Sequence, residues 1–331
     1  MKVVTLGELL LRLSPEGYAR FVQADRFNAT YGGAEANVAA LLARLGAQAL
    51  FVTKLPAHEI GQAALDALRR WGVDVSHVVR GGARLGLYYL EKGASQRAGK
   101  VIYDRADSAF ACSSPEEYDW SAIFAGADWF HFTGITPALG ERAEAVVRRA
   151  CAEAKARGVT VSCDLNYRAT LWPRERARTV LSRLMENVDV CISNADQVLD
   201  VFGMRAQGTG NERDAALAEL LAQTFGLRAV ALTRRKSVSA SENYFSGMLW
   251  DGDAAFSREY DMHIVDRVGG GDAFAGGLIY ALCGGEPAQQ AIEFAAAAGC
   301  LKHTIEGDIC LVSEQEVRSL AGGAADGRVR R

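Results

Sequence analysis

Residues 266–277, which read DRVGGGDAFAGG, constrain this chain more than any other segment. Three consecutive glycines lead into Asp272, and the apolar residues after it are typical of a helix. The first N–H groups of a helix have no intrahelical acceptor, and the positive end of the helix dipole lies beside them. The pattern therefore predicts an anion site formed by the backbone of Gly269, Gly270 and Gly271.

The position of Asp272 inside this predicted anion site indicates the chemistry. A carboxylate repels an anionic ligand, so its presence makes sense if it takes a proton from a hydroxyl group that then attacks a phosphoryl group. The segment predicts phosphoryl transfer to an alcohol, with Asp272 as general base and the glycine amides stabilising charge. The alternative is a tight, close-packed turn in which the helix dipole alone favours an acidic residue.

Composition narrows the class of protein. A chain of 331 residues is long enough for one large α/β domain with an insertion or for two domains, and 49% of its residues are hydrophobic. A net charge of −3 does not indicate a basic surface that binds nucleic acid. The seven cysteines form no C-x-x-C pair, so neither a zinc site nor a disulfide framework is indicated. The N-terminal residues lack a secretory signal and no apolar run reaches membrane-spanning length, so a cytoplasmic protein without a membrane partner is predicted.

Apolar runs of strand length alternate with amphipathic helical segments along most of the chain. The predicted strands are 2–7, 48–54, 128–132, 159–165, 189–193 and 228–233. The predicted helices are 36–45, 59–71, 139–157, 173–187, 211–225, 271–283 and 288–303. This alternation indicates an α/β fold with a mostly parallel central sheet and helices on both faces.

Two segments, about 9–31 and 75–105, interrupt that alternation and have the period-2 pattern of strands. They predict a small antiparallel sheet that forms a lid on one end of a single domain at 1–321. Residues 322–331 are predicted to be a flexible tail. The lid's apolar face, with Leu87 and Leu90 as candidates, predicts a homo-oligomer, a dimer or higher, formed through the lids.

Polar residues at the lid and at a helix start are candidates for ligand contacts. In GGAEAN at 32–37, Gly32 and Gly33 allow close backbone approach and Asn37 places an amide at the start of a helix. Arg105 suits a carboxylate, because its planar guanidinium group binds one through two parallel hydrogen bonds. The alternatives are an ordinary helix start and a solvated charge on an edge strand.

Other candidates follow predicted strands, where ligands bind in open α/β sheets. They are Asn166 and Arg168 in DLNYR, Asn194 in CISN, and Thr233 at the start of the polar segment 232–243. The alternatives are turn formation by DLN, helix capping by Asn194 and a plain polar loop at 232–243.

With these residues in place, the chain resembles the ribokinase-like (PfkB) carbohydrate kinases. GGAEANVA at 32–39 and D-x-x-G-x-G-D-x-F-x-x-G at 266–277 carry the resemblance, and the order of elements matches over about residues 2–310. Within the family, it is most similar to the 2-keto-3-deoxygluconate kinases, on GELLLRLSP at 7–15, YDR at 103–105, DLNYR at 164–168 and Asp308.

The resemblance implies a ribokinase-like three-layer sandwich and a kinase that uses ATP and Mg²⁺. The acceptor would be the terminal (6-) hydroxyl of 2-keto-3-deoxygluconate, with Asp272 as the base. The residues implied to bind the sugar acid are Gly32, Gly33, Asn37, Tyr89, Tyr103, Arg105 and Asp308. Those implied to lie toward ATP are Asn166, Arg168, Asn194 and Thr233.

Two departures from the family pattern affect the nucleotide side. The family's N-x-x-E segment reads Asn194-Ala195-Asp196-Gln197, so no metal ligand is assigned. Its T-x-G-x-x-G loop reads TRRKSV at 233–238, so the nucleotide loop is predicted to take another path that uses basic side chains.

Three other functions compete with the sugar-acid kinase. A neutral-sugar kinase of the same family, of the fructokinase or ribokinase type, would give Arg105 no carboxylate partner. A catalytically silent sugar-binding regulator would lack the base that Asp272 supplies. A dinucleotide-dependent oxidoreductase would place its glycine motif early in the chain, whereas the glycine run here is late.

Overall fold

A computed structural model describes residues 1–324, so part of the tail predicted at 322–331 lies outside the described residues. The strands in chain order are β1 Lys2–Leu6, β2 Leu10–Ser14, β3 Asn28–Gly32, β4 Gln48–Val52, β5 Lys54–Leu55, β6 Val79–Arg80, β7 Gly86–Glu91, β8 Lys100–Asp104, β9 Trp129–Thr133, β10 Thr160–Asp164, β11 Val190–Ser193, β12 Ala229–Ser237, β13 Glu242–Trp250, β14 Ala254–Phe256 and β15 Tyr260–His263.

The helices alternate with these strands through most of the chain. In chain order they are α1 Ala34–Arg44, α2 Glu59–Arg70, α3 Trp120–Phe124, α4 Glu141–Ala156, α5 Arg174–Met185, α6 Ala195–Phe202, α7 Gly210–Phe225, α8 Gly270–Cys283, α9 Ala288–Lys302 and α10 Glu314–Ala321. Short 3₁₀ turns lie at Phe21–Gln23, Pro115–Glu117 and Pro137–Leu139. Within residues 1–324, no helix combines the length and apolar character needed to cross a bilayer.

The central sheet has the order β14-β13-β12-β11-β10-β9-β1-β4, with β15 paired to β13. Within this sheet the parallel strands are β4, β1, β9, β10, β11 and β12. Strands β13, β14 and β15 add an antiparallel edge. Neighbouring strand residues such as Val3 and Val4 belong to different apolar clusters, because successive side chains point to opposite faces. Helices α1 and α8 to α10 cover one face and α3 to α7 the other, which confirms the predicted α/β architecture.

The two segments that interrupt the alternation supply a second sheet of order β3-β2-β7-β8, called the lid sheet below. Pairs β2–β3 and β7–β8 are antiparallel, but β2 and β7 are parallel, so the prediction of a purely antiparallel lid is wrong for that pair. The chain between these two strands contains α1 and α2, and a connection of that length permits a parallel return. Strands β5 and β6 form a separate parallel pair.

The polar segment 232–243 is mostly strand, which corrects the predicted loop. Strand β12 continues to Ser237 and pairs with β13, placing Arg235 opposite Phe245 and Lys236 opposite Tyr244. The Lys236 ammonium nitrogen lies 5.3 Å from the Tyr244 ring centre. Cation–aromatic pairs across the strands thus stabilise a sequence whose polarity alone indicates a loop.

A buried ion network joins the lid sheet to the segment that precedes α8. The Nη2 atom of Arg12 on β2 lies 2.6 Å from Asp266 Oδ2, and its Nη1 lies 3.0 Å from Asp308 Oδ1. The Tyr88 hydroxyl on β7 donates to the same Asp308 oxygen at 2.6 Å. The Arg12, Asp266 and Asp308 side chains are each only 1% exposed, so solvent screens their charges very little.

We expect Arg12→Ala to lower the free energy of unfolding by about 3–5 kcal/mol, because it leaves buried carboxylates without their cation. Urea denaturation followed by circular dichroism measures this change. The matched control is Arg26→Ala, which removes an arginine from a well-exposed pair with Glu16 and should change stability little. An Arg12→Ala protein that unfolds at the same urea concentration as wild type would contradict the expected role of the network.

Candidate active site

A cavity of about 1360 Å³ lies between the lid sheet and the carboxyl ends of the parallel strands. The lid sheet and the residue after it contribute Tyr88, Tyr103 and Arg105 to its lining. The body contributes strand-end residues and the glycine turn at 269–271 with Asp272. Ligand sites in open α/β sheets occupy this position.

The glycine turn begins α8, as the sequence predicts. Gly269 has a left-handed φ of 85°, and a Cβ there would lie 2.0 Å from the carbonyl oxygen of Asp308, so only glycine fits. A Cβ on Gly271 would meet no atom within 4 Å. Below the turn, the ammonium group of the buried Lys302 donates to the carbonyl oxygens of Asp266 at 3.4 Å and Ile305 at 3.0 Å. The turn is therefore fixed from behind and open toward the cavity.

Asp272 lies in the first turn of α8 with its carboxylate held in place. Its Oδ2 accepts a hydrogen bond from the Asn37 side-chain amide at 2.7 Å. Burial raises the pKa of Asp272 to about 7, the Asn37 hydrogen bond opposes that rise, and the negative charges of Asp164 and Glu35 add to it. A carboxyl group with a pKa near neutrality is well matched to accepting a proton during a reaction.

The start of α1 positions Asn37. A Cβ on Gly33 would lie 2.2 Å from the carbonyl oxygen of Glu8, so the close approach of these two backbones requires glycine. The buried Glu35 carboxylate accepts hydrogen bonds from the Thr133 N–H at 3.0 Å and the Thr133 hydroxyl at 2.8 Å. These bonds tie α1 to the end of β9 and so fix the direction of the Asn37 amide.

Arg105 follows the last lid strand and is held by a carboxylate that the sequence analysis did not identify. Its Nε and Nη2 atoms lie 2.8 Å and 2.6 Å from Glu8 Oε2, and its guanidinium carbon lies 5.5 Å from the Tyr103 ring centre. A guanidinium group has five N–H donors, so this contact leaves Arg105 with donors for another acceptor. The sequence feature that could have identified Glu8 is its position just after β1. It lies at the carboxyl ends of the parallel strands, where the other candidates also lie.

The lid strands bring Tyr88 and Tyr103 to the cavity and turn Tyr89 away from it. Tyr88 lies opposite Tyr103 in the β7–β8 register, with ring centres 6.1 Å apart. Tyr89 packs on Phe27 on the other face of the lid sheet, so its predicted contact with a ligand in this cavity is corrected. Leu90 also faces the cavity, which corrects its assignment to an exposed apolar face.

Two other predicted ligand-binding residues lie behind the cavity wall. Asp308 is 3% exposed and engaged by Arg12 and Tyr88, and it is not among the lining residues. Gly32 packs against it, because a Cβ on Gly32 would lie 2.4 Å from Asp308 Oδ2. Both residues lie beside the lid strand that carries Arg12, and their direct contact with the acceptor stays a prediction.

The strand-end candidates all line the cavity, and Asn166 and Asn194 also perform the local roles that were their alternatives. The Asn166 N–H donates to Asp164 Oδ1 at 3.0 Å in a turn with a positive φ of 36°. Asn194 Oδ1 accepts the Gln197 N–H at 2.9 Å and so caps α6. The Thr233 hydroxyl donates to the Ser193 carbonyl at 3.2 Å. Arg168 is exposed to the cavity.

Known proteins resemble this chain over nearly its whole length. The pfkB family carbohydrate kinase profile matches residues 1–314. A 2-dehydro-3-deoxygalactonokinase of Haloferax volcanii is 34% identical over 98% of both chains. A crystal structure of 2-dehydro-3-deoxygluconokinase from Thermotoga maritima has a TM-score of 0.96 at 50% identity over 98% of both chains. A putative ribokinase II from E. coli in complex with ATP and Mg²⁺ has a TM-score of 0.82 over 97% of this chain and 99% of its own, at 21% identity.

The environment of Asp272 gives a measurable titration. In a ¹³C NMR titration of the carboxyl groups, with Asp272→Asn to assign the signal, Asp272 should titrate near pH 7. Asn37→Leu should raise this pKa further, because the lost hydrogen bond favours the carboxylate form. A midpoint of about 4, the ordinary value for Asp, or a lower pKa in Asn37→Leu would contradict this description.

Proposed function

The chain belongs to the pfkB family of carbohydrate kinases, and we propose that it transfers the γ-phosphoryl group of ATP to the 6-hydroxyl of 2-keto-3-deoxygluconate. The main observation in support of this proposal is that one cavity holds both the Asp272 carboxylate, whose pKa is about 7, and a guanidinium group at the lid, that of Arg105. The first is suited to activating a hydroxyl and the second to recognising the acceptor's carboxylate.

The proposed reaction assigns a role to each part of the glycine turn and its neighbours. As the acceptor oxygen forms its bond to the γ-phosphorus, its proton passes to the Asp272 carboxylate. The bond from the γ-phosphorus to the bridging oxygen breaks, and ADP leaves with that electron pair. The first-turn N–H groups of α8 stabilise the charge on the transferred group, while Asn37 holds the base in place.

Arg105 carries the choice of a sugar acid over a neutral sugar. Its Glu8 contact orients the guanidinium group and leaves N–H donors for a carboxylate in the cavity. Tyr103 provides a hydroxyl group on the same side of the lid sheet for the rest of the acceptor. The 2-keto-3-deoxygalactonate epimer has the same carboxylate, so both epimers are candidate acceptors.

ATP is proposed to lie along the strand ends, close to Asn166, Arg168, Asn194 and Thr233. Within the described residues, no group of three or more His, Cys, Asp or Glu side chains could hold a metal ion. This fits a Mg²⁺ ion that enters with the nucleotide, held by phosphate oxygens and water, and neutralises phosphate charge.

The base assignment predicts a large loss of turnover in Asp272→Asn. General-base loss typically lowers the rate by ~10²–10⁴-fold, and the amide should still accept the Asn37 hydrogen bond and leave the fold intact. A coupled ADP-release assay measures kcat, with the exposed residue Asp251→Asn as control. If kcat of Asp272→Asn stays within about threefold of wild type, a margin well below that range, Asp272 is not the base.

The carboxylate assignment predicts that Arg105→Ala raises KM for 2-keto-3-deoxygluconate by ~10-fold or more, corresponding to about 1.5–3 kcal/mol for a charge-assisted contact. KM for ATP should stay the same, because the lid contacts the acceptor. Saturation curves for both substrates measure the effects. The control is Arg84→Ala, a lid arginine that pairs with Asp104 and lies outside the cavity. An equal rise in both KM values would contradict this role.

The outer face of the lid sheet supports the proposal of a homodimer or higher oligomer. Phe27 is 39% exposed and Ile102 54%, and Leu87 and Tyr89 lie on the same face. Apolar groups exposed together favour contact with a second copy. Light scattering at micromolar concentration should therefore give at least twice the chain mass of 35.6 kDa, and Ile102→Asp should lower it. A particle of single-chain mass in wild type would reject this part of the proposal.

A further inference from the structure

Lys302, the last residue of α9, is a buried cation to which the proposed reaction assigns no role. Its side chain is 0% exposed. Within residues 1–324 its ammonium group donates to two main-chain carbonyl oxygens, those of Asp266 at 3.4 Å and Ile305 at 3.0 Å. Removing an ammonium ion from water has a large free-energy cost, and a buried lysine is usually paired directly with a carboxylate. A neutral side chain of the same length would avoid that cost, so the charge itself requires an explanation.

The ammonium group joins the two segments that shape the glycine turn. Asp266 precedes the turn, and Ile305 begins the loop 305–308 that lies behind it. The carbonyl oxygen of Asp308 in this loop would be 2.0 Å from a Cβ on Gly269, and the Cε atom of Lys302 would be 3.1 Å from the same Cβ. The lysine side chain therefore lies directly behind the turn, and its two hydrogen bonds fix the turn segment against the loop.

The main-chain and side-chain groups of Asp266 show how fully this segment is held. Its N–H donates to the His303 carbonyl oxygen at 3.2 Å. Its carboxylate accepts the Val268 N–H at 3.1 Å and the Gly307 N–H at 3.1 Å. Among the described residues, Lys302 supplies the donor to its carbonyl oxygen. Without Lys302 a buried carbonyl group would lose its donor, and the segment that leads into α8 would be released on one side.

The charge of Lys302 lies on the protein side of the turn. Lys302 is not among the residues that line the cavity, whereas Gly269, Gly270 and Gly271 are. Because solvent does not reach the ammonium group, its charge acts on the turn with little screening. A cation behind the first N–H groups of α8 adds to the positive end of the helix dipole and favours an anion in front of them.

The carboxylates nearby make this cation necessary. Burial lowers the pKa of Lys302, while the negative charges of Asp266 and Asp308 oppose that fall and favour the charged form. Both carboxylates also pair with Arg12, so two cations balance two anions in this cluster. If Lys302 were neutral, two buried carboxylates would share one cation directly beneath a site that receives a phosphoryl group. Their excess negative charge would oppose the anion that the turn is built to hold.

We propose that Lys302 is a positioning residue for phosphoryl transfer, whose ammonium group holds the glycine turn in shape and keeps the cluster beneath it from carrying a net negative charge. The proposal rests on the proposed function for the reaction that it supports, and it assigns Lys302 no contact with either substrate. It also implies that truncation of Lys302 leaves a site for a small organic ammonium ion, bounded by the carbonyl oxygens of Asp266 and Ile305.

Lys302→Met tests the role in turnover, because it keeps the length of the side chain and removes the charge. We expect kcat to fall about tenfold to a hundredfold, somewhat less than the ~10²–10³-fold cost of removing a direct donor to developing charge. KM for the keto-acid should stay the same, because Lys302 lies outside the cavity lining. A coupled ADP-release assay, run where circular dichroism shows the variant to be folded, measures both constants.

The matched control is Lys2→Met. The Lys2 ammonium group also donates to two carbonyl oxygens, those of Ile123 at 3.1 Å and Ala125 at 2.7 Å, but at the amino end of β1, away from the cavity. Its kcat should equal that of wild type. A kcat of Lys302→Met within about threefold of wild type, a margin well below the expected range, or a loss confined to KM would overturn the proposal.

Chemical rescue of Lys302→Ala tests the ammonium site without relying on turnover. Ethylammonium chloride supplies N–H donors and a positive charge, so it should raise the Tm of Lys302→Ala and restore part of its kcat. Tetramethylammonium chloride at the same concentration has the charge but no N–H donor and should do neither. Wild type and Lys2→Ala should not respond to either salt beyond their common effect.

The two possible failures can be distinguished. If ethylammonium leaves the Tm of Lys302→Ala unchanged, or raises that of wild type equally, Lys302 does not fill the proposed site. Because the Tm needs no turnover, a wild type that does not phosphorylate the keto-acid, together with a specific rise in the Tm of Lys302→Ala, rejects the proposed function and leaves the ammonium site supported.

Discussion

The contact of Arg12 with Asp266 and Asp308 is the interaction on which the site depends. It joins a lid strand to the segment that enters α8, so the surface that carries Tyr88 and the turn that carries Asp272 share one rigid connection. A buried ion group has a large desolvation cost and can add little net stability compared with apolar packing. Its value here is geometric, because an apolar replacement could slide, whereas two directed ion pairs fix the lid over the cavity.

Acidic and basic side chains lie in different parts of the cavity. Acidic groups gather near Asp272, where burial and then the charges of Asp164 and Glu35 raise its pKa to about 7. Arg168 and Arg235 face the cavity from the body, and Arg105, paired with Glu8, lies at the lid. This distribution of charge suits the two anionic ligands that we propose, ATP and a sugar acid.

Much of the fold was predictable because local pattern and tertiary structure agree. The apolar runs separated by helices became the parallel sheet, and the glycine turn became the start of α8 at Gly270. The strand of 228–233 was predicted too short, because its continuation is stabilised by cross-strand aromatics of β13. Such stabilisation comes from a partner strand and leaves no trace in the strand's own periodicity.

Side-chain roles were less predictable where they depend on register or on distant partners. Period 2 correctly placed Tyr103 and Arg105 near one another, but only the β7–β8 pairing shows that Tyr88, not Tyr89, shares their face. Glu8 and Arg12 bind residues 97 and 254 positions away, at Arg105 and Asp266 respectively. A charged residue inside an apolar strand was the one available signal for Arg12, and it does not identify the partner.

The most direct test of the sugar-acid assignment is the specificity of the wild-type enzyme. Initial rates of ADP release should be measured with 2-keto-3-deoxygluconate, fructose and ribose at saturating ATP and Mg²⁺. We expect a kcat/KM for the keto-acid at least about tenfold, and up to about a hundredfold, above either neutral sugar, which is the scale of one charge-assisted contact to Arg105. A kcat/KM for fructose or ribose equal to or above that for the keto-acid would contradict it.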